Sequence, residues 1–342
     1  MNIGPIMMDL AGVELTLEEH EKLQHPLIGG VILFTRNYVD VEQITHLVSQ
    51  IHQVKQPQLL VAVDHEGGRV QRFRLGFSHI PSARWIGENY QSQPEKVLNN
   101  AAILGWLMAS ELRAVGVDFS FAPILDLGND TSRVIGDRAF HSDPEAIFAI
   151  ANATMNGIHQ AGMATVGKHF PGHGHVVEDS HFELPVDHRS LQSLLDCDLI
   201  PFVKMINNGI DALMPAHVIY EQIDQQPAGF SRRWLKDILR KQLGFNGVIF
   251  SDDLNMAAAS MGGSFSTRTT LALDSGCDMA LVCNNSAGLD EVLDQMTLVK
   301  NSSSSRRLEK MQAKKTMATK EIVRHPQWAE AMTLIEKYQE NS

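Results

Sequence analysis

Short apolar runs alternate with longer amphipathic stretches along the chain. The runs cover residues 3–10, 30–34, 59–64, 119–125, 164–169, 212–215, 248–251 and 279–283. Several lack the polar alternation of a half-exposed strand, so they predict strands buried on both faces. Between them, residues 41–53, 97–114, 144–161, 191–207, 232–243, 267–274 and 289–299 carry apolar positions at helical spacing. About eight βα units are more than an open doubly wound sheet usually holds. The pattern therefore predicts an α/β fold, a single-domain (β/α)8 barrel of the TIM type, over residues 1–300. A Ser-rich link is expected at 301–305 and charged helix at 306–337. Residues 301–342 are thus expected to form a C-terminal helical extension packed on the barrel.

Composition narrows the partners. Hydrophobic residues make up 44% of the chain and charged residues 20%, enough for a sizeable core and unlike a disordered chain. The formal net charge is −11, which argues against nucleic acid and anionic membranes, since both need clustered Lys and Arg. The three cysteines, Cys197, Cys277 and Cys283, form no C-x-x-C and read as reduced thiols. The first residues lack a basic segment, and their apolar stretch breaks at Asp9. No run approaches the roughly 20 apolar residues of a membrane span. A cytoplasmic monomer acting on a small molecule is the expectation.

A barrel carries its chemistry at the C-terminal ends of its strands, and here polar residues cluster at those ends. The third strand runs into Asp64-His65-Glu66-Gly67-Gly68-Arg69, with Arg72 close behind. The two glycines let the backbone turn tightly beside a ligand. The fourth leads through Asp126 to Asp137-Arg138. Arg138 has the donors to fork onto sugar hydroxyls, or it makes a salt bridge to Asp137 or Asp143. The fifth strand ends in the densest stretch, Lys168-His169-Phe170-Pro171-Gly172-His173-Gly174-His175, and then reaches Asp179-Ser180-His181. Asp179 and His181 are close enough for the carboxylate to hold the imidazole. That fixes the tautomer and raises basicity, as a proton donor near neutral pH requires. His217 follows the sixth strand and is as readily structural as functional. Asp252 and Asp253 end the seventh. Successive strand residues point to opposite sides, so one of the two should face the barrel mouth and the other should support the loop. Spacing alone leaves open which.

These stretches, in this order, resemble glycoside hydrolase family 3 over residues 6–311, and within it the single-domain bacterial β-N-acetylglucosaminidases of peptidoglycan recycling. Residues 168–181 are the most specific part. Support comes from residues 30–34, 63–72, 135–140, 214–217 and 251–254. The resemblance implies Asp252 as nucleophile, His181 as general acid/base and Asp179 as its partner. It implies that Asp64, Arg72, Arg138, Lys168 and His169 hold the sugar. Larger members of that family carry a second domain that supplies a Glu acid/base, and this chain has no room for it.

The implied reaction is retaining hydrolysis of terminal, non-reducing β-1,4-linked GlcNAc from anhydro-MurNAc muropeptides, with or without the stem peptide, and with no cofactor or metal. Three rivals remain in view: a metal-dependent barrel hydrolase using His169, His173 and His175, a non-catalytic sugar binder, and a glycosidase of another specificity.

Overall fold

A computed structural model describes residues 3–129, 132, 134–176, 180, 184–297, 301–313 and 317–340. Eight strands close into an all-parallel barrel in chain order. They are β1 (Ile6–Met8), β2 (Ile28–Leu33), β3 (Leu60–Val63), β4 (Phe119–Ser120), β5 (Ala164–Phe170), β6 (Ala212–Pro215), β7 (Val248–Asp253) and β8 (Met279–Val282). β1 pairs with both β2 and β8, which closes the ring. Nearly every strand residue is buried, as the unbroken apolar runs require. Helices link the strands and cover the barrel. Side chains such as Asp40, Asp143 and Ser190 start them by accepting a backbone N–H one turn in.

The strand–helix alternation agrees with the sequence reading, and so does barrel closure. Several boundaries differ. The expected strand 119–125 pairs only at Phe119–Ser120, plus an isolated bridge at Ile124. The expected helix 191–207 is two helices, Leu191–Leu195 and Leu199–Asn207. The serine run expected as a link is helical. Asn301 caps the Ser302–Leu308 helix through Ser304 N. Burial explains this. Ser305 Oγ accepts from Ile3 N, Ser304 Oγ donates to the Asp278 carbonyl, and Arg307 grips the Asp278 carboxylate. These contacts lie at the N-terminal ends of β1 and β8, opposite the barrel mouth. The expected helix 306–337 is likewise broken. Its last pieces, Thr319–Arg324 and Pro326–Glu340, lie along the Pro94–Ala114 helix, where the His325 ring tilts onto Trp106 with centroids 4.5 Å apart. No helix among the described residues is long and apolar enough to cross a membrane.

Aromatic rings fill the barrel interior. Phe250 lies 5.2 Å from Phe119 and 5.4 Å from Phe121, the latter pair edge to face. Above this apolar floor the strands splay into loops, and the polar residues begin there.

Candidate active site

The β3 end turns at once into a short hairpin, His65–Gly67 against Val70–Gln71. Gly67 (φ +105°) and Gly68 (φ +53°) make the turn in backbone conformations that side chains rarely adopt. Ser120 Oγ on β4 clamps its base, accepting from His65 N and donating to His65 O, both at 3.0 Å. The hairpin brings Asp64, Glu66 and Arg72 to the barrel mouth. Arg138 arrives on the Gly136–Arg138 turn, and Lys168 and His169 end β5.

These side chains form one connected set. Lys168 Nζ, 3% exposed, sits 2.8 Å from both Asp64 Oδ1 and Glu66 Oε1. Arg138 forks onto Glu66 at 2.8 and 2.9 Å. Arg72 reaches Asp64 Oδ2 at 3.4 Å. Burial by itself would raise the Asp64 and Glu66 carboxyls. The adjacent cations prevail and hold both below the ordinary carboxylate range. Burial would also lower the Lys168 ammonium, and Asp64 and Glu66 raise it instead. Arg138 therefore pairs with Glu66, not with Asp137 or Asp143. Asp137 pairs with Arg69, and Asp143 caps a helix.

Asp126 is the residue whose weight the sequence reading missed. It is 0% exposed, and its carboxylate accepts the backbone N–H of His169 and His173 and lies 2.7 Å from His169 Nδ1. Burial opposes its charge, but His169 and His173 keep the carboxyl low. An ionised carboxylate can only accept, so His169 Nδ1 donates this hydrogen bond, which fixes the orientation of the ring. Asp126→Asn puts an amide where that acceptor stood. We expect it to cost roughly 10- to 100-fold in kcat/KM, the size seen when an orienting partner is lost. Steady-state kinetics with a chromogenic glycoside checks this, and an unchanged kcat/KM would show that Asp126 merely packs.

Both Asp252 and Asp253 border the cleft, which departs from strict strand alternation. A register shift between Phe250 and Asp253 in the β7–β8 pairing is the reason. Asp253 is occupied structurally: it accepts from Asn255 N at 2.9 Å and Asn284 Nδ2 at 3.2 Å. Burial raises its carboxyl to about 7, with neighbouring Asp252 adding to the rise. Asp252 Oδ1 accepts from Asp253 N. Ser251 Oγ bridges the strands, donating to Asp252 O and accepting from Leu281 N. His217 is buried and its Nε2 lies 3.2 Å from the Asp253 carbonyl, so it supports the β7 end.

Asp64, Arg72, Arg138, Lys168, His169 and Asp252 thus meet around one cleft of about 500 Å³. That is a normal size for a small-ligand site. Its lining is mostly polar and charged, with Ile32, Phe34, Phe121 and Met214 supplying apolar patches. A larger hollow of about 680 Å³ lies between the Phe265–Ser275 and Ser286–Gln295 helices, away from this acid–cation set. Asp179 and His181 lie outside the described residues. Ser180 between them borders the cleft, with its Oγ 3.1 Å from His173 Nε2. The three histidines of the metal-hydrolase reading do not converge. His169 turns to Asp126, His173 to Ser180 and His175 to Asp198. The reading fails because strand-end and loop backbone aim the rings at different partners.

Buried neutral histidines make stability pH-dependent. Burial lowers His65 to about 3, and burial with nearby His169 lowers His173 to about 4. The unfolded chain takes up these protons near pH 6.5. Between the two values the unfolded state binds more protons, so stability falls as the pH drops from about 6.5 towards 4. For His173 the loss reaches about 3 kcal/mol. Urea unfolding across that range should show the decline, with a shallower slope in His173→Asn. A pH-independent midpoint would refute it.

A closed parallel barrel with a strand-end carboxylate and an ion-paired cleft at its mouth has the layout of a barrel enzyme. Comparison with known proteins narrows this. Residues 6–314 match the glycosyl hydrolase family 3 N-terminal domain, and the chain belongs to that family. It is 54% identical over 296 residues to a β-hexosaminidase of Thiobacillus denitrificans, covering 86% of this chain and 82% of that one. It is 51% identical over 335 residues to a β-hexosaminidase of Thioalkalivibrio sulfidiphilus, covering 98% and 96%. The fold superimposes with a TM-score of 0.93, at 42% identity, on NagZ from Neisseria gonorrhoeae in complex with N-trifluoroacetyl-D-glucosamine, covering 99% of this chain and 98% of that one.

Proposed function

We propose that this glycoside hydrolase is a retaining β-N-acetylhexosaminidase. It releases terminal, non-reducing β-1,4-linked GlcNAc from anhydro-MurNAc muropeptides, as a cytoplasmic monomer in cell-wall recycling. The observation that carries the reading is the meeting of Asp252 with the Asp64–Lys168–Glu66–Arg138 set around one sugar-sized cleft. The β-hexosaminidase relatives and the glucosamine derivative bound by the Neisseria protein support GlcNAc as the sugar.

In this mechanism Asp252 attacks the anomeric carbon as the glycosidic bond breaks, giving a covalent glycosyl-enzyme. His181, held by Asp179, gives its proton to the leaving oxygen. It then takes a proton from the water that releases the sugar, so configuration is retained. Asp64 accepts from sugar hydroxyls, while Arg72, Arg138 and Lys168 donate to them. His169, oriented through Nδ1, lines the cleft beside the sugar. The acids and cations already brace one another before substrate arrives, so little reorganisation is needed.

The test is hydrolysis of p-nitrophenyl β-N-acetylglucosaminide in EDTA, compared with the corresponding glucoside, with the first-formed sugar read by proton NMR. We expect turnover of the GlcNAc glycoside and the β-anomer first. An initial α-anomer would refute retention. Preference for the glucoside would refute the substrate assignment.

A further inference from the structure

Outside the cleft, one group of unlike ligating side chains converges among the described residues. His175, Cys197 and Asp198 each offer a ligand atom, and these atoms lie within 4.8 Å of one another. His175 belongs to the loop after β5. Cys197 and Asp198 form the break between the Leu191–Leu195 and Leu199–Asn207 helices. We propose that these three residues bind a zinc-class divalent cation, which clamps the β5 loop onto that helix break.

The local geometry is prepared for such a clamp. Asp198 is 0% exposed, with Oδ1 2.9 Å from His175 Nδ1 and Oδ2 2.6 Å from Arg189 NH1. A cation takes the place of the His175–Asp198 hydrogen bond, with Asp198 bound through one oxygen. The other oxygen keeps Arg189, the kind of outer partner that ligating carboxylates usually have. The loop is pressed close at this point. A Cβ on Gly172 would stand 2.7 Å from Asp198 Cβ, and Tyr220 Oη donates to the Gly172 carbonyl at 2.7 Å. His175 is open to solvent, so an ion can enter.

The donor set selects the ion. One imidazole nitrogen, one sulfur and one carboxylate oxygen suit zinc in a tetrahedral site, with water in the fourth position. They do not suit magnesium or calcium, which prefer all-oxygen sites. Charge also balances. The Cys197 thiol loses its proton to solvent as the metal–sulfur bond forms. The thiolate, Asp198 and Asp187 then carry three negative charges, against Arg189 and the divalent ion. Metal therefore releases a proton on binding, and its affinity rises with pH. The clamp stands whether or not the proposed sugar chemistry is right, because its readouts do not need turnover.

The experiment is titration of metal-stripped, full-length protein with zinc chloride, followed by calorimetry and thermal melting. Cobalt is then substituted and read by absorption. Wild type should bind one zinc at this site, melt at higher temperature with it, and show a thiolate-to-cobalt charge-transfer band. Cys197→Ser and His175→Ala should each bind zinc at least about tenfold more weakly and lose the thermal gain. Cys197→Ser should also lose the band. Unchanged circular dichroism and hydrolytic rate in the metal-free variants establish that both are folded. Equal zinc affinity in wild type and both variants would overturn the proposal, since zinc would then bind elsewhere, for example at the cleft acids. A cobalt complex without the thiolate band would overturn it too.

Discussion

Asp252→Ala should lose glycoside turnover by about four orders of magnitude or more, the range seen when a covalent nucleophile is removed. The fold should survive. β7 is held by its parallel ladders to β6 and β8 and by the Ser251 bridge to Leu281, none of which uses the Asp252 side chain. Neighbouring Asp253 is a poor substitute. Two partners occupy its carboxylate, and burial raises it to about 7, so it is only about half ionised near neutral pH. Asp253→Asn should therefore retain far more activity than Asp252→Ala, with loss arising from a looser loop around Asn284. Single-turnover kinetics on both variants, with thermal melts as the folding control, separates the two acids. If Asp253→Asn were the dead variant and Asp252→Ala the active one, the assignment of the nucleophile would be reversed.

Lys168→Met should be both inactive and markedly less stable. The ammonium holds apart and neutralises two largely buried carboxylates, each 2.8 Å away. Removing it leaves Asp64 facing Arg72 at 3.4 Å and Glu66 facing Arg138 alone. Breaking a buried pair from one side typically costs about 3–5 kcal/mol, because a charge stays desolvated without its partner. The cost should depend on pH, with a definite sign. In the wild type both carboxyls are held low, so their contribution is present above about pH 4 and is lost as the pH falls below it. Without Lys168 each carboxyl loses one of its two cations and rises from that low position, so acid protonates it more readily and relieves part of the loss. The stability gap between variant and wild type should thus be widest at neutral pH and narrow towards about pH 4. Adding Asp64→Asn to Lys168→Met should recover part of the stability at neutral pH, as expected for coupled neighbours. A uniform gap at all pH values would mean that the loss is one of packing, not charge.

The barrel was legible because each strand is buried on both faces. That demand writes a short apolar run between amphipathic stretches, and eight such units leave few other architectures. The strand-end placement of Asp64, Lys168, His169 and Asp252 was legible for the same reason. Polar residues directly after a buried strand must emerge at the barrel mouth. The family resemblance added roles that spacing could not, such as the preference for Asp252 over Asp253.

Other features depended on contacts between segments far apart in the chain. Arg138 had nearby acids in sequence, yet it chose Glu66, because the β3 hairpin brings that carboxylate across the cleft. Asp126 looked like a passing loop residue. Its importance comes from receiving the His169 and His173 backbone and the His169 ring, which only the joining of β4 to β5 allows. The crowded histidines suggested a shared metal, and the backbone instead aimed them at three separate partners. The serine run became a helix because Ile3 and Asp278, distant in sequence, supply its tertiary partners. Local pattern, then, determined the alternation of barrel strands and helices and where polar chemistry must surface, because burial acts on each segment through its own periodicity. The tertiary structure decided which charges pair, which of the two adjacent acids is held by Asn255 and Asn284, and which partner each histidine faces. Those outcomes depend on distances of a few ångströms between segments that sequence order does not encode.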